Sequence, residues 1–286
     1  MAWCFVLLAL AICCAWLPGV DLGAFRVDAW LLPFALATAC AVYFGVVLWT
    51  GVLILVALVT AARVARSPGA VGRVGVMVTV VIALALALHL APGFSNPKLF
   101  DSVRLSADAA PLTQYLNFDK GAAGLVLLAA FAPRAGSARE AYAVLRTALP
   151  IAVVTVIASV ALALALHYIR FDPKLPTGAV AFLGANLFFT CIAEEAFFRG
   201  FLQERLARSA DRWRLYPWLA VSVSALLFGA AHAAAGSTFL ALATLAGFGY
   251  AIAYAMTRRI EAPILAHFAV NATQFLGFTY PYLVRG

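Results

Sequence analysis

Long apolar runs, separated by short polar segments that carry arginine, make up most of this 286-residue chain. They fall at about residues 3–20, 31–59, 74–90, 122–132, 149–167, 179–198, 218–235, 239–256 and 264–278. A membrane-crossing helix needs about 20 predominantly apolar residues, and most of these runs approach that length. The fourth is short and the second is long. The runs are continuous, whereas a membrane barrel alternates apolar and polar positions. The pattern therefore predicts an all-α fold, a polytopic transmembrane helix bundle of about eight to nine helices.

Composition agrees with the pattern. Hydrophobic residues make up 65% of the chain and charged residues 11%, with a mean hydropathy of +0.98. A soluble domain carries about 25% charged residues; with so little polar surface, lipid must cover this chain. The first run has no Lys or Arg before Asp21 and no small-residue cleavage site after it, so it reads as a retained helix rather than a signal peptide. Cys4, Cys13, Cys14, Cys40 and Cys191 all lie inside apolar runs, without the spacing of a disulfide framework or a zinc finger, and read as small buried hydrophobes.

Charge placement sets an orientation, because Lys and Arg collect on the cytoplasmic side of a membrane. Most of the 20 basic residues lie in four alternate loops. These hold Arg63, Arg66 and Arg73; Arg134, Arg139 and Arg146; Arg199, Arg205, Arg208, Arg212 and Arg214; and Arg258 with Arg259. The opposite loops hold only Arg26, Lys98, Arg104, Lys120, Arg170 and Lys174. Nine passes with the N-terminus in the cytoplasm satisfy the rule at every turn. The net charge of +8 then has a topological cause, and no segment offers the basic soluble face that nucleic-acid binding requires. Trp49, Tyr216 and Trp218 fit interfacial aromatic belts.

The chain divides into residues 1–140, read as N-terminal packing helices with a mixed, Pro-containing outer loop at 94–119, and residues 141–286, where polar side chains enter the apolar runs. A carboxylate at bilayer depth costs roughly 2.5–3.5 kcal/mol on insertion scales, so the adjacent Glu194 and Glu195 demand a purpose. Arg199 follows Glu195 at a spacing that favours an ion pair. His232 follows Phe228 by four residues, and Asn271 follows His267 by four, which puts the last two on one helical face. Acid, base and amide groups on separate apolar helices point to a buried catalytic site.

These residues carry a resemblance. Glu194-Glu195-Ala196-Phe197-Phe198-Arg199-Gly200, Phe228-Gly229-Ala230-Ala231-His232 and His267-Phe268-Ala269-Val270-Asn271 resemble, in order, the three motifs of the CAAX protease and bacteriocin-processing (CPBP, or Abi) family of intramembrane endopeptidases. The resemblance extends over roughly residues 149–280. It implies that Glu194 and His232 hold and deprotonate a water, that His267 and Asn271 serve the oxyanion, and that Glu195 and Arg199 shape the site. Peptide hydrolysis needs those functions, since the carbonyl is a poor electrophile.

The residues leave rivals standing. Glu195 and Arg199 also read as a structural pair, His232 and His267 as satisfied core histidines, and Asn271 as helix–helix glue. The expected chemistry uses no cofactor, but two histidines and a glutamate also suit zinc with an open position for water. A thiol mechanism through Cys191 lacks an activating cation. A non-enzymatic immunity or regulatory scaffold is the main alternative function; a proton-coupled transporter would show repeat symmetry, which is missing. The nine-pass count sets His232 at a different depth from Glu194, His267 and Asn271. The expected partners are membrane lipid and a membrane-anchored protein or hydrophobic peptide substrate. The Arg- and Ala-rich makeup points to a prokaryotic chain in the inner (cytoplasmic) membrane.

Overall fold

The apolar runs fold as helices, and helix accounts for 69% of the computed structural model. It describes residues 1–23, 25–210 and 218–284; Arg212, Arg214 and Tyr216 lie outside them. The fold is all-α and the chain is an integral membrane protein. Among the described residues, four helical stretches are both long and apolar enough to cross a bilayer: Gly69–Ala87, Ala138–Ala165, Ala179–Arg208 and Ser237–Thr257. Shorter apolar helices accompany them, and large side chains such as Trp3, Leu53, Val154 and Val180 stand exposed on helices where only lipid would welcome them. The chain forms two compact units.

The first unit comprises Met1–Lys98, Tyr115–Phe131 and Phe188–Ala196. It contains α1 (Ala2–Cys14), a hairpin of β1 (Val20–Leu22) and β2 (Phe25–Val27), α2 (Leu31–Tyr43), α3 (Trp49–Val64), α4 (Gly69–Ala87) and α5 (Phe118–Phe131). The single long run expected at 31–59 is thus two helices. Gly45, at φ +71°, makes the turn between them, a conformation that costs glycine little and other residues more. At the ends of this pair, Asp28 lies 3.7 Å from Arg63 and 3.6 Å from Arg66. Residues 28 and 63 are therefore neighbours, where a single span would set them on opposite membrane faces. Helix α5, the short fourth run, is buried along most of its length, from Phe118 to Leu128. It packs against the helical turn α8 (Ile192–Glu195).

The second unit comprises Leu99–Gln114, Ala132–Leu187 and Phe197–Gly286. Its helices are α6 (Ala138–Ala165), α7 (Ala179–Ala185), α9 (Glu204–Ala210), α10 (Trp218–Ala231), α11 (Ser237–Thr257) and α12 (Glu261–Gly277). Ser137 caps α6 by accepting from the Glu140 amide, which satisfies one of the helix's orphan donors. Helix α11 packs on α10, α6 and α12, and α12 also packs on α6. The core between them gathers Val144, Ala148, Phe198, Phe228, Tyr250 and Ala266. Small residues let these backbones approach, the usual basis of helix association in lipid. A Cβ on Gly229 of α10 would lie 2.9 Å from Thr244 Cβ and 3.1 Å from its Cα on α11. The outer loop expected at 94–119 holds two further strands, β3 (Lys98–Val103) and β4 (Leu112–Tyr115), which pair with each other. Both two-stranded pieces lie in segments between helices, so they leave the fold class unchanged.

Candidate active site

The segment with the paired glutamates is helical but irregular. Between α7 and α9 it passes through a π-helical stretch at Asn186–Cys191, the four residues of α8, and a second π-helical stretch at Ala196–Gln203. π-Helical turns are rare and concentrate at functional sites. Here they flank the Glu194–Glu195 turn on both sides, and each widened turn changes which side chains share a face.

In the first unit, Glu195 is fully buried and Glu194 keeps 13% of its side chain exposed. Lys120, in the first turn of α5, places its Nζ 2.7 Å from Glu194 Oε1 and is itself only 18% exposed. Sequence reasoning did not single out this lysine; it stood as one more basic residue of an outer loop. A lysine and a glutamate 2.7 Å apart lie at one depth, so Lys120 belongs to the level of Glu194. No local signal identifies the pairing, because a lysine at the end of an apolar run is ordinary.

In the second unit, Phe228 is the hub. Its ring lies 4.7 Å from that of His232 and 5.6 Å from that of His267, which it meets edge-on. His232 follows the last residue of α10, and its Nδ1 is 2.7 Å from the Phe228 carbonyl oxygen. A carbonyl only accepts, so Nδ1 carries a proton and donates it to this bond. His267 is buried on α12 and stacks on Tyr250 of α11, with centroids 4.6 Å apart and planes 12° from parallel.

Arg199 is fully buried. Its NH2 donates to the Gly247 carbonyl at 2.8 Å, and its guanidinium lies 4.7 Å from the Phe228 ring centre and 5.4 Å from that of Tyr250. The cation thus braces the two rings that contact the histidines. The structure therefore brings together Arg199, His232 and His267 around Phe228 and Tyr250. Tyr250 is a second residue missed from sequence, since a tyrosine in an apolar helix gives no sign of what it stacks on.

Asn271, one turn beyond His267, donates from Nδ2 to Oδ1 of the buried Asn186 at 3.2 Å. Asn186 opens the first π-helical stretch and had not been singled out. Cys191 is buried, and none of the five cysteines forms a disulfide. Among the described residues, no group of three or more His, Cys, Asp or Glu side chains is placed to hold a metal ion.

Each unit thus buries polar groups among apolar helices, and comparison with known proteins shows what one part of the chain is similar to. Residues 176–273, roughly a third of the chain, match the family model described as Type II CAAX prenyl endopeptidase Rce1-like. The match bears out the resemblance to the CAAX proteases over that segment and supports a membrane peptidase. It takes in Glu194, Glu195, Arg199, His232, His267 and Asn271. No curated protein and no solved structure gives a significant match.

Proposed function

We propose that this chain is an intramembrane endopeptidase that hydrolyses a peptide bond in a membrane-associated or lipid-anchored protein or peptide. The observation that carries the reading is the family match, which encloses all three motifs in one segment. Glu194 and His232 activate the water, and His267 and Asn271 bind the oxyanion of the tetrahedral intermediate. Several local features support these roles. The His232 bond to the Phe228 carbonyl holds the ring through Nδ1, and the reading assigns the proton-accepting role to Nε2. An amide nitrogen carries two N–H groups; one from Asn271 goes to Asn186 and orients the other. The stack on Tyr250 fixes the plane of the His267 ring. Arg199 shapes the site by bracing Phe228 and Tyr250, and Glu195 is the buried acid beside the base.

The reaction proceeds without a metal in this reading, and no step is routed through one. Water adds to the scissile carbonyl carbon as its proton passes to the acid–base pair. The oxyanion forms against the His267 and Asn271 donors, and the proton returns to the leaving amine. The substrate enters laterally from the bilayer of a cytoplasmic membrane, as a hydrophobic or lipidated segment. The test is cleavage of a membrane-tethered peptide library by protein purified in detergent. Cleavage by the parent chain and its loss in Glu194→Ala support the assignment; full cleavage by Glu194→Ala defeats it. A non-enzymatic scaffold would keep its cellular role with both Glu194 and His232 replaced.

A further inference from the structure

Lys120 lies outside the segment that matches the family model, yet it is tied into the first unit by a polar network. Asp119, 1% exposed, accepts at Oδ1 from the Lys120 amide (2.8 Å) and from Asn96 Nδ2 (2.9 Å). Its Oδ2 lies 2.7 Å from Nδ1 of His89, a residue held at φ +57°. Asn96 Oδ1 in turn accepts from the Phe118 amide at 2.9 Å. Three side chains thus fix the first turn of α5, where buried polar groups hold only when they satisfy one another.

The opposite face of that turn is fixed by packing. A Cβ on Gly124, one turn beyond Lys120, would come within 2.6 Å of the Ala193 Cα, and one on Gly121 within 2.7 Å of the Phe189 ring. Helix α5 is therefore pressed against the backbone of α8, immediately beside Glu194. A lysine on an exposed helix end has no need of such an anchorage.

We propose that Lys120 is a positioning residue for Glu194, and that His89, Asn96 and Asp119 serve to hold it there. The proposal rests on the reading of Glu194 as the base. A glutamate has three side-chain torsions to fix before it can hold a water in line with a carbonyl. An ammonium on one carboxylate oxygen fixes them, and a carboxylate offers about four acceptor sites, of which the ammonium takes one. The N-terminal half then supplies part of the catalytic geometry rather than packing alone.

The experiment compares the full chain with Lys120→Met, Lys120→Arg, Glu194→Gln and the double variant Lys120→Met/Glu194→Gln, for cleavage of the membrane-tethered peptide and for thermal melting in detergent. Misplacing a reacting group by about 1 Å costs roughly 10²-fold in rate. Lys120→Met is accordingly expected to lose roughly that much kcat with KM unchanged, and Lys120→Arg to regain most of it. Removing the glutamate as well should raise the melting temperature above that of Lys120→Met, because the pair is coupled. Wild-type kcat in Lys120→Met beside an inactive Glu194→Gln overturns the proposal and spares the underlying reading; wild-type activity in Glu194→Gln removes that reading itself. Lys120→Arg as impaired as Lys120→Met, or strictly additive melting shifts, also overturns the proposal. Should Lys120→Met fail to fold, Lys120→Gln replaces it in the same comparison, and failure of both shows a purely structural lysine, which overturns the proposal as well.

Discussion

At the scale of single residues, the membrane makes catalytic candidates conspicuous. Desolvating a carboxylate or an imidazole costs energy that an apolar helix does not spend without return, so Glu194, Glu195, His232, His267 and Asn271 stand out of their runs. The structure orients two of them in ways that make their roles testable. Replacing Glu194, the proposed base, with Gln keeps the shape, and kcat is expected to fall about 10²–10⁴-fold, measured on the tethered peptide. Asn271→Ala removes one of the proposed oxyanion donors; kcat should fall about 10²–10³-fold, and an unchanged rate would remove Asn271 from the site. Lys120 and Tyr250 were illegible by comparison. Their significance lies in what they touch, Glu194 at 2.7 Å and the His267 ring at 4.6 Å, and neither residue type is out of place where it occurs. Tyr250→Phe keeps the stack and should keep activity. Tyr250→Leu loses an aromatic pair worth about 0.5–1.5 kcal/mol, and should lower activity and melting temperature together.

At the scale of elements, hydropathy located the helices and missed what happens inside and between them. The turn at Phe44–Gly45–Val46 is as apolar as the helices it joins, so α2 and α3 read as one run; a lone glycine gives no warning, since transmembrane helices tolerate it. The π-helical stretches around Glu194 are equally silent, because widening a turn changes no residue's polarity. The second motif shows the reverse case, in which a packing requirement hides within a catalytic pattern. Gly229 sits three residues before His232, and a Cβ there would meet the Thr244 side chain and its Cα at 3.1 Å. A larger residue must push α10 from α11, and overpacking of this kind costs about 1–3 kcal/mol. Gly229→Val should therefore lower the melting temperature in detergent and displace His232, reducing kcat as well. Unchanged melting would show that the two helices yield freely.

At the scale of the whole molecule, the helical pair α2 and α3 bears on which way the chain faces. Nine passes, with residues 31–59 as one of them, set Met1 on the cytoplasmic side. The structure brings Asp28, which precedes α2, to Arg63 and Arg66, which close and follow α3. Whatever depth that pair reaches, it leaves from and returns to the same membrane face. Its turn exposes Tyr43 (83%) and Trp49 (79%), as aromatic anchors at the far interface would be. The arginine loop at 63–73 carries no acid and belongs in the cytoplasm under the positive-inside rule. The rule then predicts residue 28 in the cytoplasm too, and a single crossing by α1 before it would place Met1 outside. An epitope inserted at residues 65–68 should be shielded in intact spheroplasts and accessible only after permeabilisation. One placed ahead of Met1 should be accessible in both. Finding the two epitopes on the same side would mean that α1 does not cross. Finding the N-terminal one inside and the other outside would reverse the orientation that the arginine loops impose on the whole chain.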